Sequence, residues 1–285
     1  MEKTTQNSYH THISSKHNAL ELKLDEVWRY RDLILLFTKR NFVVRYKQTV
    51  LGPAWILLNP LFSSIIYAIV FGGIAKIGTE GIPTILFYLC SNAIWLFFAT
   101  CVTTNARTFT ENANVFGKVY FPRLTMPISN MLSAGIHFCV QMLMVMGFLG
   151  FYLVQGAVHP NWAAWLLIPV VLLHLGMLGL GCGIIVSSLT TKYRDLAILV
   201  DFAMQLWMYA TPVVYPLSTL APGWIRTILL INPVTAPVEF FRYAILGQGS
   251  ILPGVLALSW AITIGVMLIG IVIFNKVERT FMDTV

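Results

Sequence analysis

The chain has 285 residues, of which 57% are hydrophobic and only 11% are charged. Together with a mean hydropathy of +0.73, this composition excludes a soluble globular domain and predicts a polytopic membrane protein. The formal net charge is +7, from 19 lysines and arginines against 12 acidic residues, and the distribution of these cations between loops orients the chain in a bilayer.

The first segment, residues 1–19, is polar and is predicted to be a disordered tail without the apolar core of a secretory signal. A metal site at His10, His12 and His17 is a weak alternative, because nothing nearby supplies a fourth ligand. The four cysteines lie in apolar runs without CxxC or Cys/His spacing, so they are interpreted as packing residues.

Residues 20–54 are interpreted as a cytoplasmic interface helix and its connector. From Leu20 to Arg40 apolar residues recur at helical spacing, with charged residues on most of the other face. A basic amphipathic helix that carries one tryptophan, Trp28, favours a position in the membrane interface. The alternative is a surface helix of a small cytosolic domain.

Six apolar runs follow, and the predicted fold is an all-α polytopic membrane protein whose transmembrane domain covers residues 55–285. An α-helix of about 20 residues crosses the ~30 Å hydrocarbon layer. The predicted spans cover about 55–75, 83–105, 127–154, 162–188, 196–215 and 251–274. With the N-terminus inside, all lysines and arginines except Lys76, Arg226 and Arg242 lie on the cytoplasmic side. The positive-inside rule therefore predicts that both termini are cytoplasmic.

Two of the segments that connect predicted spans are long enough to contain short helices. Residues 107–126 contain Thr108 and Glu111 at capping-box spacing, followed by an apolar edge of a short helix. That edge, which consists of Val115, Phe116, Val119 and Tyr120, needs a partner protein or folds back onto the membrane surface. Residues 212–249 are apolar but interrupted by prolines, a pattern that favours short re-entrant helices in the outer leaflet.

Nothing in the sequence is typical of an enzyme. Gly73–Thr79 has the two-glycine spacing of a phosphate loop but lacks the lysine that follows the second glycine. A pump without a nucleotide site needs an ion gradient or a separate ATPase. Ionisable residues in mid-membrane are scarce, since Asp201 lies close enough to the cytoplasmic end to reach water or Arg194. His137 and His174 are interpreted as packing residues between helices.

Several short motifs resemble the permeases of the ABC-2 exporter superfamily, and most closely the branch that exports bacterial polysaccharides. The matching residues are Arg45-Tyr46-Lys47-Gln48, Leu51-Gly52-Pro53, Trp55, Pro60, Lys118-Val119-Tyr120-Phe121-Pro122-Arg123, Tyr193-Arg194-Asp195-Leu196, Thr211-Pro212-Val213, Tyr215-Pro216, Asn232-Pro233 and Glu239-Phe240-Phe241-Arg242. Their order and spacing extend from about residue 28 to the sixth predicted span.

The resemblance implies a homodimer in the bacterial inner membrane, docked on two copies of an ATPase subunit that binds ATP and magnesium. This chain would need no cofactor, metal or nucleic acid of its own. The implied substrate is a polysaccharide on a polyprenyl diphosphate lipid, most simply O antigen, with capsular polysaccharide or teichoic acid as alternatives. A secondary transporter would need inverted repeats, and a membrane-embedded transferase would need clustered His or acidic residues.

The resemblance also implies roles for individual residues. Aromatic rings stack on the C–H faces of sugars, so four aromatics of the second and fifth spans are expected to line the substrate path. The expected path residues are Tyr88, Trp95, Trp207 and Tyr209. The expected residues of the interface helix and the cytoplasmic entrance are Trp28, Arg29, Arg45 and Lys47. The expected residues of ATPase coupling are Glu111, Asn112, Val115, Phe116 and Lys118.

Overall fold

The computed structural model describes residues 24–119, 121–193 and 195–284, and no β-strand occurs among them. The predicted tail, the start of the interface helix, Tyr120 and Arg194 lie outside the described residues. The α-helices are α1 (Leu24–Arg29), α2 (Arg31–Tyr46), α3 (Trp55–Tyr67), α4 (Thr84–Ala106), α5 (Thr108–Phe116), α6 (Thr125–Val154), α7 (Trp162–Trp165), α8 (Ile168–Thr190), α9 (Leu196–Tyr209), α10 (Trp224–Ile231), α11 (Thr235–Leu246) and α12 (Pro253–Thr284). A 3₁₀ turn at Gly52–Ala54 precedes α3, a π-helical turn at Ala68–Ile74 follows it, and a 3₁₀ turn at Leu217–Thr219 precedes α10.

Within the described part of the chain, five helices are long and apolar enough to cross a membrane. They are Gly52–Ile74, Thr84–Ala106, Thr125–Val154, Ile168–Thr190 and Pro253–Val277. The pair α10 and α11, bent by 84°, makes a sixth candidate if it is taken as one broken span. The structure therefore supports five spans close to predicted positions, while the sixth candidate lies in the segment that the sequence predicts to be re-entrant.

The predicted fifth span at 196–215 does not form at that length. Helix α9 ends at Tyr209 after 14 residues, which gives about 21 Å, less than the hydrocarbon thickness. The helix stops because Pro212 has no backbone N–H to continue the hydrogen-bonding pattern. The predicted fourth span is also divided, since α7 and α8 are separate helices and Pro169 lies in the first turn of α8.

Helix α4 lies at the centre of the bundle, with 16 of its 23 residues buried. Glycines of α8 allow its close approach: an added Cβ at Gly179 would lie 2.6 Å from the Cβ of Cys101, and one at Gly183 would lie 2.4 Å from the Cβ of Asn105. On another face of α8, an added Cβ at Gly181 would lie 3.2 Å from the backbone of Met267 in α12. Small residues therefore set the spacing of α4, α8 and α12.

The N-terminal helix differs from the single predicted helix because it breaks at Tyr30 and its second part extends to Tyr46. One face of α2 packs on α6, where Thr38 Oγ1 donates to the Ser129 carbonyl at 3.4 Å. The opposite face exposes apolar side chains, among them Leu36 and Val43. This face fits contact with lipid.

The end of the bundle that carries α10 and α11 is held by a buried ion pair. Arg242 and Glu239, both in α11, are hydrogen-bonded to each other and almost fully buried. Arg242 Nη1 also donates to the Pro212 carbonyl at 2.9 Å, and Glu239 Oε2 accepts from the backbone N–H of Ser250 at 3.2 Å. The pair thus ties α11 to the segment after α9 and to the loop before α12.

Candidate functional site

A polar cavity of about 430 Å³ lies at the opposite end of the bundle, where α2 and α5 meet the ends of α4 and α6. Its lining residues come from all four helices, and most of them carry a polar side chain. They are Arg40, Asn41, Val44, Arg45, Thr100, Thr104, Glu111, Asn112, Val115, Asn130, Ser133 and Ala134.

Side-chain hydrogen bonds build the wall of this cavity. Asn41 Nδ2 donates to Asn130 Oδ1 at 2.9 Å, and Asn130 Nδ2 donates to Asn105 Oδ1 at 3.2 Å. Arg40 Nη2 donates to Asn112 Oδ1 at 3.3 Å, which joins α2 directly to α5. These side chains form a polar network between the interface helix and the bundle.

The cavity carries two guanidinium groups and one carboxylate. Arg40 is half-buried and Arg45 is exposed, while Glu111 is the acidic residue among the lining side chains. Beside the cavity, burial raises the pKa of Tyr46, and the guanidinium of Arg45 offsets part of this effect. With an excess of positive charge and several amide donors, the arrangement suits an anionic group.

The residues expected at the cytoplasmic entrance separate into two sets. Arg45 lines the cavity, whereas Trp28, Arg29 and Lys47 are exposed on the N-terminal helices away from it. The guanidinium carbon of Arg31 lies 5.8 Å from the centre of the Trp28 ring. The structure therefore brings only one of the four predicted residues to the cavity.

Three of the residues expected to couple to an ATPase reach the same cavity. Glu111, Asn112 and Val115 line it, while Lys118 is exposed beyond the end of α5. The interface helix and the short helix after the second predicted span thus line one cavity, although their residues belong to separate motifs in the sequence.

The prediction that α5 exposes an apolar edge is wrong at Phe116. Its side chain is only 3% exposed and packs against Phe109 and Phe121, with ring centres 5.9 and 5.6 Å away. The predicted capping box is also absent, because Arg107 occupies the N-cap position and no side chain caps the helix. Phe116 turns inward because α8 and α12 offer a hydrophobic cluster there, whereas Val119 remains exposed.

The four residues that were predicted to line the substrate path differ in their exposure. Tyr88 and Trp95 are buried in the core around α4, so they present no surface to a path outside the subunit. Trp207 is half-buried, and its Nε1 donates to Asn232 Oδ1 at 3.1 Å. Tyr209 is exposed at the end of α9.

Helices α3 and α9 meet where Tyr67 Oη lies 3.5 Å from Met208 Sδ, and both helices are poorly covered. Only 17% of the α3 span is buried, and the buried side chains of α9 are Met204 and Met208. Phe62 and Phe202 are exposed on these two helices. We call this surface the α3–α9 face.

Sequence patterns missed several residues of the cavity. Arg40, Asn41, Thr104 and Asn130 line it although no motif singled them out. A usable signal was the polar spacing at the start of the third predicted span, where Asn130 and Ser133 interrupt an apolar run. The described residues contain no group of three or more His, Cys, Asp or Glu side chains that could hold a metal ion.

The fold is that of a multi-span membrane protein, and comparison with known proteins specifies its family. The model of the ABC-2 type transporter family matches residues 32–246, so the chain belongs to that family of transporter membrane subunits. Two O-antigen export system permease proteins RfbA from Klebsiella pneumoniae are each 28% identical, over 88% of this chain and 94% of the relative. A protein of the same name from Myxococcus xanthus is 28% identical over 76% of this chain and 81% of the relative.

Proposed function

We propose that the chain is the transmembrane subunit of an ATP-driven exporter that moves O antigen across the bacterial inner membrane. The observation that carries this proposal is the similarity, over most of both chains, to three proteins named as O-antigen export permeases. Capsular polysaccharide and teichoic acid are the alternative cargoes, and the first experiment below distinguishes them.

The energy is proposed to come from a separate ATPase subunit that binds ATP and magnesium, in a complex of two ATPases with two copies of this chain. Support comes from the family and from the lack of a phosphate loop in the sequence. Since Phe116 is buried, the docking surface is assigned to exposed side chains of α5 and the segment after it. These are Glu111, Asn114, Lys118 and Val119.

The lipid carrier is proposed to place its diphosphate in the cavity between α2 and α5. Arg40 and Arg45 supply the positive charge, and Asn112 supplies an amide donor, which together match a diphosphate. The exposed apolar side of α2, with Leu36 and Val43, fits the polyprenyl chain or surrounding lipid. Helix α2 therefore acts as the cytoplasmic interface helix.

The sugar chain is proposed to pass along the α3–α9 face, which a second copy of the subunit would enclose. Tyr209, Phe202 and Phe62 are exposed there and offer rings for stacking. Trp207 keeps a secondary role at the side of the path, while the burial of Tyr88 and Trp95 favours a packing role for both.

Both termini are proposed to be cytoplasmic, because this orientation puts all but three lysines and arginines on the inner side. Single cysteines are introduced at Lys192 and at His159 in a variant that lacks the four native cysteines. An impermeant thiol reagent added to intact cells is expected to label position 159 and not position 192. Labelling of position 192 from outside would contradict the orientation.

The function is tested by deleting the gene in its native strain and measuring surface O antigen, capsule and teichoic acid on intact cells. Loss of surface O antigen, with lipid-linked polymer retained inside, is the expected result. Loss of capsule or teichoic acid instead would assign the alternative cargo. An unchanged surface would refute polysaccharide export.

The cavity is tested by Arg45→Gln, with Lys39→Gln as the matched control, since Lys39 is an exposed cation of α2 outside the cavity lining. A hydrogen bond to a charged group contributes about 1.5–3 kcal/mol, so the affinity for the diphosphate lipid is expected to fall roughly tenfold or more. Export by Arg45→Gln is expected to fall at low substrate supply, while Lys39→Gln stays normal. Equal export by both variants would contradict the assignment.

A further inference from the structure

The α4–α5 junction is joined to α9 by an ion pair. Arg107 is the one residue between α4 and α5, and its Nη2 donates to Asp201 Oδ2 in α9. The two residues are separated by 94 positions in the sequence. The contact therefore connects the short helix that borders the cavity to a helix of the α3–α9 face.

Arg107 lies on a junction that is itself fixed to α8. Thr190 Oγ1 donates to the carbonyl of Ala106 at 3.1 Å, and the backbone N–H of Phe109 donates to Ser187 Oγ at 3.2 Å. The residues on both sides of Arg107 are thus held by α8. A displacement of α5 that carries this junction with it would also move the guanidinium that reaches Asp201.

Helix α9 is held much less firmly than the junction. Its buried side chains, Met204 and Met208, lie in its second half, and Trp207 bonds to Asn232 near the same end. Asp201 lies in the first half, where the neighbouring Leu199 and Phe202 are exposed. The ion pair with Arg107 therefore adds a polar contact to the half of α9 that has no fully buried side chain.

The Arg107–Asp201 pair also differs from the ion pair at the other end of the bundle. Its side chains are 38% and 42% exposed, whereas those of Arg242 and Glu239 are 1% and 2% exposed. Backbone groups of two further segments bind the buried pair. The buried pair is a stable structural contact. The half-exposed pair opens at a low cost in free energy, because water can replace each partner.

We propose that Arg107 and Asp201 are positioning residues that transmit a displacement of α5 to α9 during the transport cycle. The inference rests on the proposed function, in which the ATPase acts on α5 and the polymer passes along the α3–α9 face. Neither residue touches the polymer. Their contact sets where the first half of α9 lies when the ATPase moves the short helix.

The test uses the full complex of this chain with its ATPase, in lipid nanodiscs and in cells lacking the native gene. Arg107→Gln and Asp201→Asn each remove one charge, and the exchange of the two residues, Arg107→Asp with Asp201→Arg, restores the pair in reverse. Lys192→Gln, an exposed cation in the turn before α9, is the control. Membrane content, co-purified ATPase, ATP hydrolysis and surface polysaccharide are measured for each.

Each single variant is expected to keep its ATPase and to hydrolyse ATP at close to the normal rate, while export falls by roughly tenfold, a loss typical of a broken coupling between sites. The exchanged pair is expected to recover most of the export, and Lys192→Gln to behave as the unmodified chain. Loss of export without loss of hydrolysis is the signature that a merely structural role would not produce.

Three results would overturn the inference: normal export by both single variants, no recovery by the exchanged pair, or parallel loss of hydrolysis and export. An unmodified chain that retained no ATPase would instead refute the proposed function. That outcome is distinguishable, since it would affect every variant equally.

Discussion

Replacement of Phe116 by aspartate separates a packing role for this residue from a docking role. The side chain is 3% exposed, packs on Phe109 and Phe121, and lies under the guanidinium of Arg123 at 5.7 Å from the ring centre. Removing a buried phenylalanine ring costs about 3–5 kcal/mol, and a buried carboxylate adds several kcal/mol more. Against a total stability of roughly 5–15 kcal/mol, Phe116→Asp is expected to lose most of its folded protein.

The assay is the amount of protein in the membrane together with thermal unfolding of the purified chain in detergent. Phe116→Leu keeps most of the apolar volume and is expected to cost less than about 1.5 kcal/mol. Val119→Asp is the matched control because Val119 is 58% exposed three residues further on. If Phe116→Asp unfolded at the normal temperature and lost only its ATPase, Phe116 would face outward and the packing argument would fail.

Two further predictions concern the fixed parts of the bundle. Gly183→Ala would place a Cβ 2.4 Å from that of Asn105, so we expect it to push α8 away from α4 and to destabilise the chain by about 1–3 kcal/mol. The control Gly147→Ala, whose added Cβ has no atom within 4 Å, should unfold at the normal temperature. Equal unfolding temperatures for both variants would contradict this packing. Glu239→Gln leaves the charge of Arg242 buried without its partner and is expected to cost about 3–5 kcal/mol. The double variant with Arg242→Met removes both charges and should regain stability in the same thermal assay, whereas a double variant less stable than the single would refute the argument.

Much of the fold was predictable because a bilayer leaves the backbone few choices. Without water, N–H and C=O groups must pair within a segment, so each long apolar run becomes a helix. The runs at 83–105 and 127–154 accordingly form α4 and α6 within two residues of the predicted ends. The helix in the run at 196–215 ends early because Pro212 breaks the hydrogen-bonding pattern. A hydropathy average over the whole run does not reveal the effect of one proline.

The candidate site was less predictable, since it depends on which face each helix presents to its neighbours. Arg45 and Glu111 belong to separate sequence motifs, and only the packing of α2 and α5 on α4 and α6 brings them to one cavity. The same packing buries Tyr88 and Trp95 while Tyr209 remains exposed. Aromatic content alone does not distinguish a ring in the core from a ring on a surface.

The sequence by itself determined the class of protein, the family motifs and nearly every helix, because these follow from local composition and from the backbone's need for hydrogen bonds. The tertiary structure decided which residues act together. It turned Phe116 inward, joined Arg107 to Asp201 across 94 positions and formed a polar cavity between α2 and α5. Each of these depends on helix rotation and on contacts between distant segments, and side-chain periodicity along one helix does not specify its neighbours.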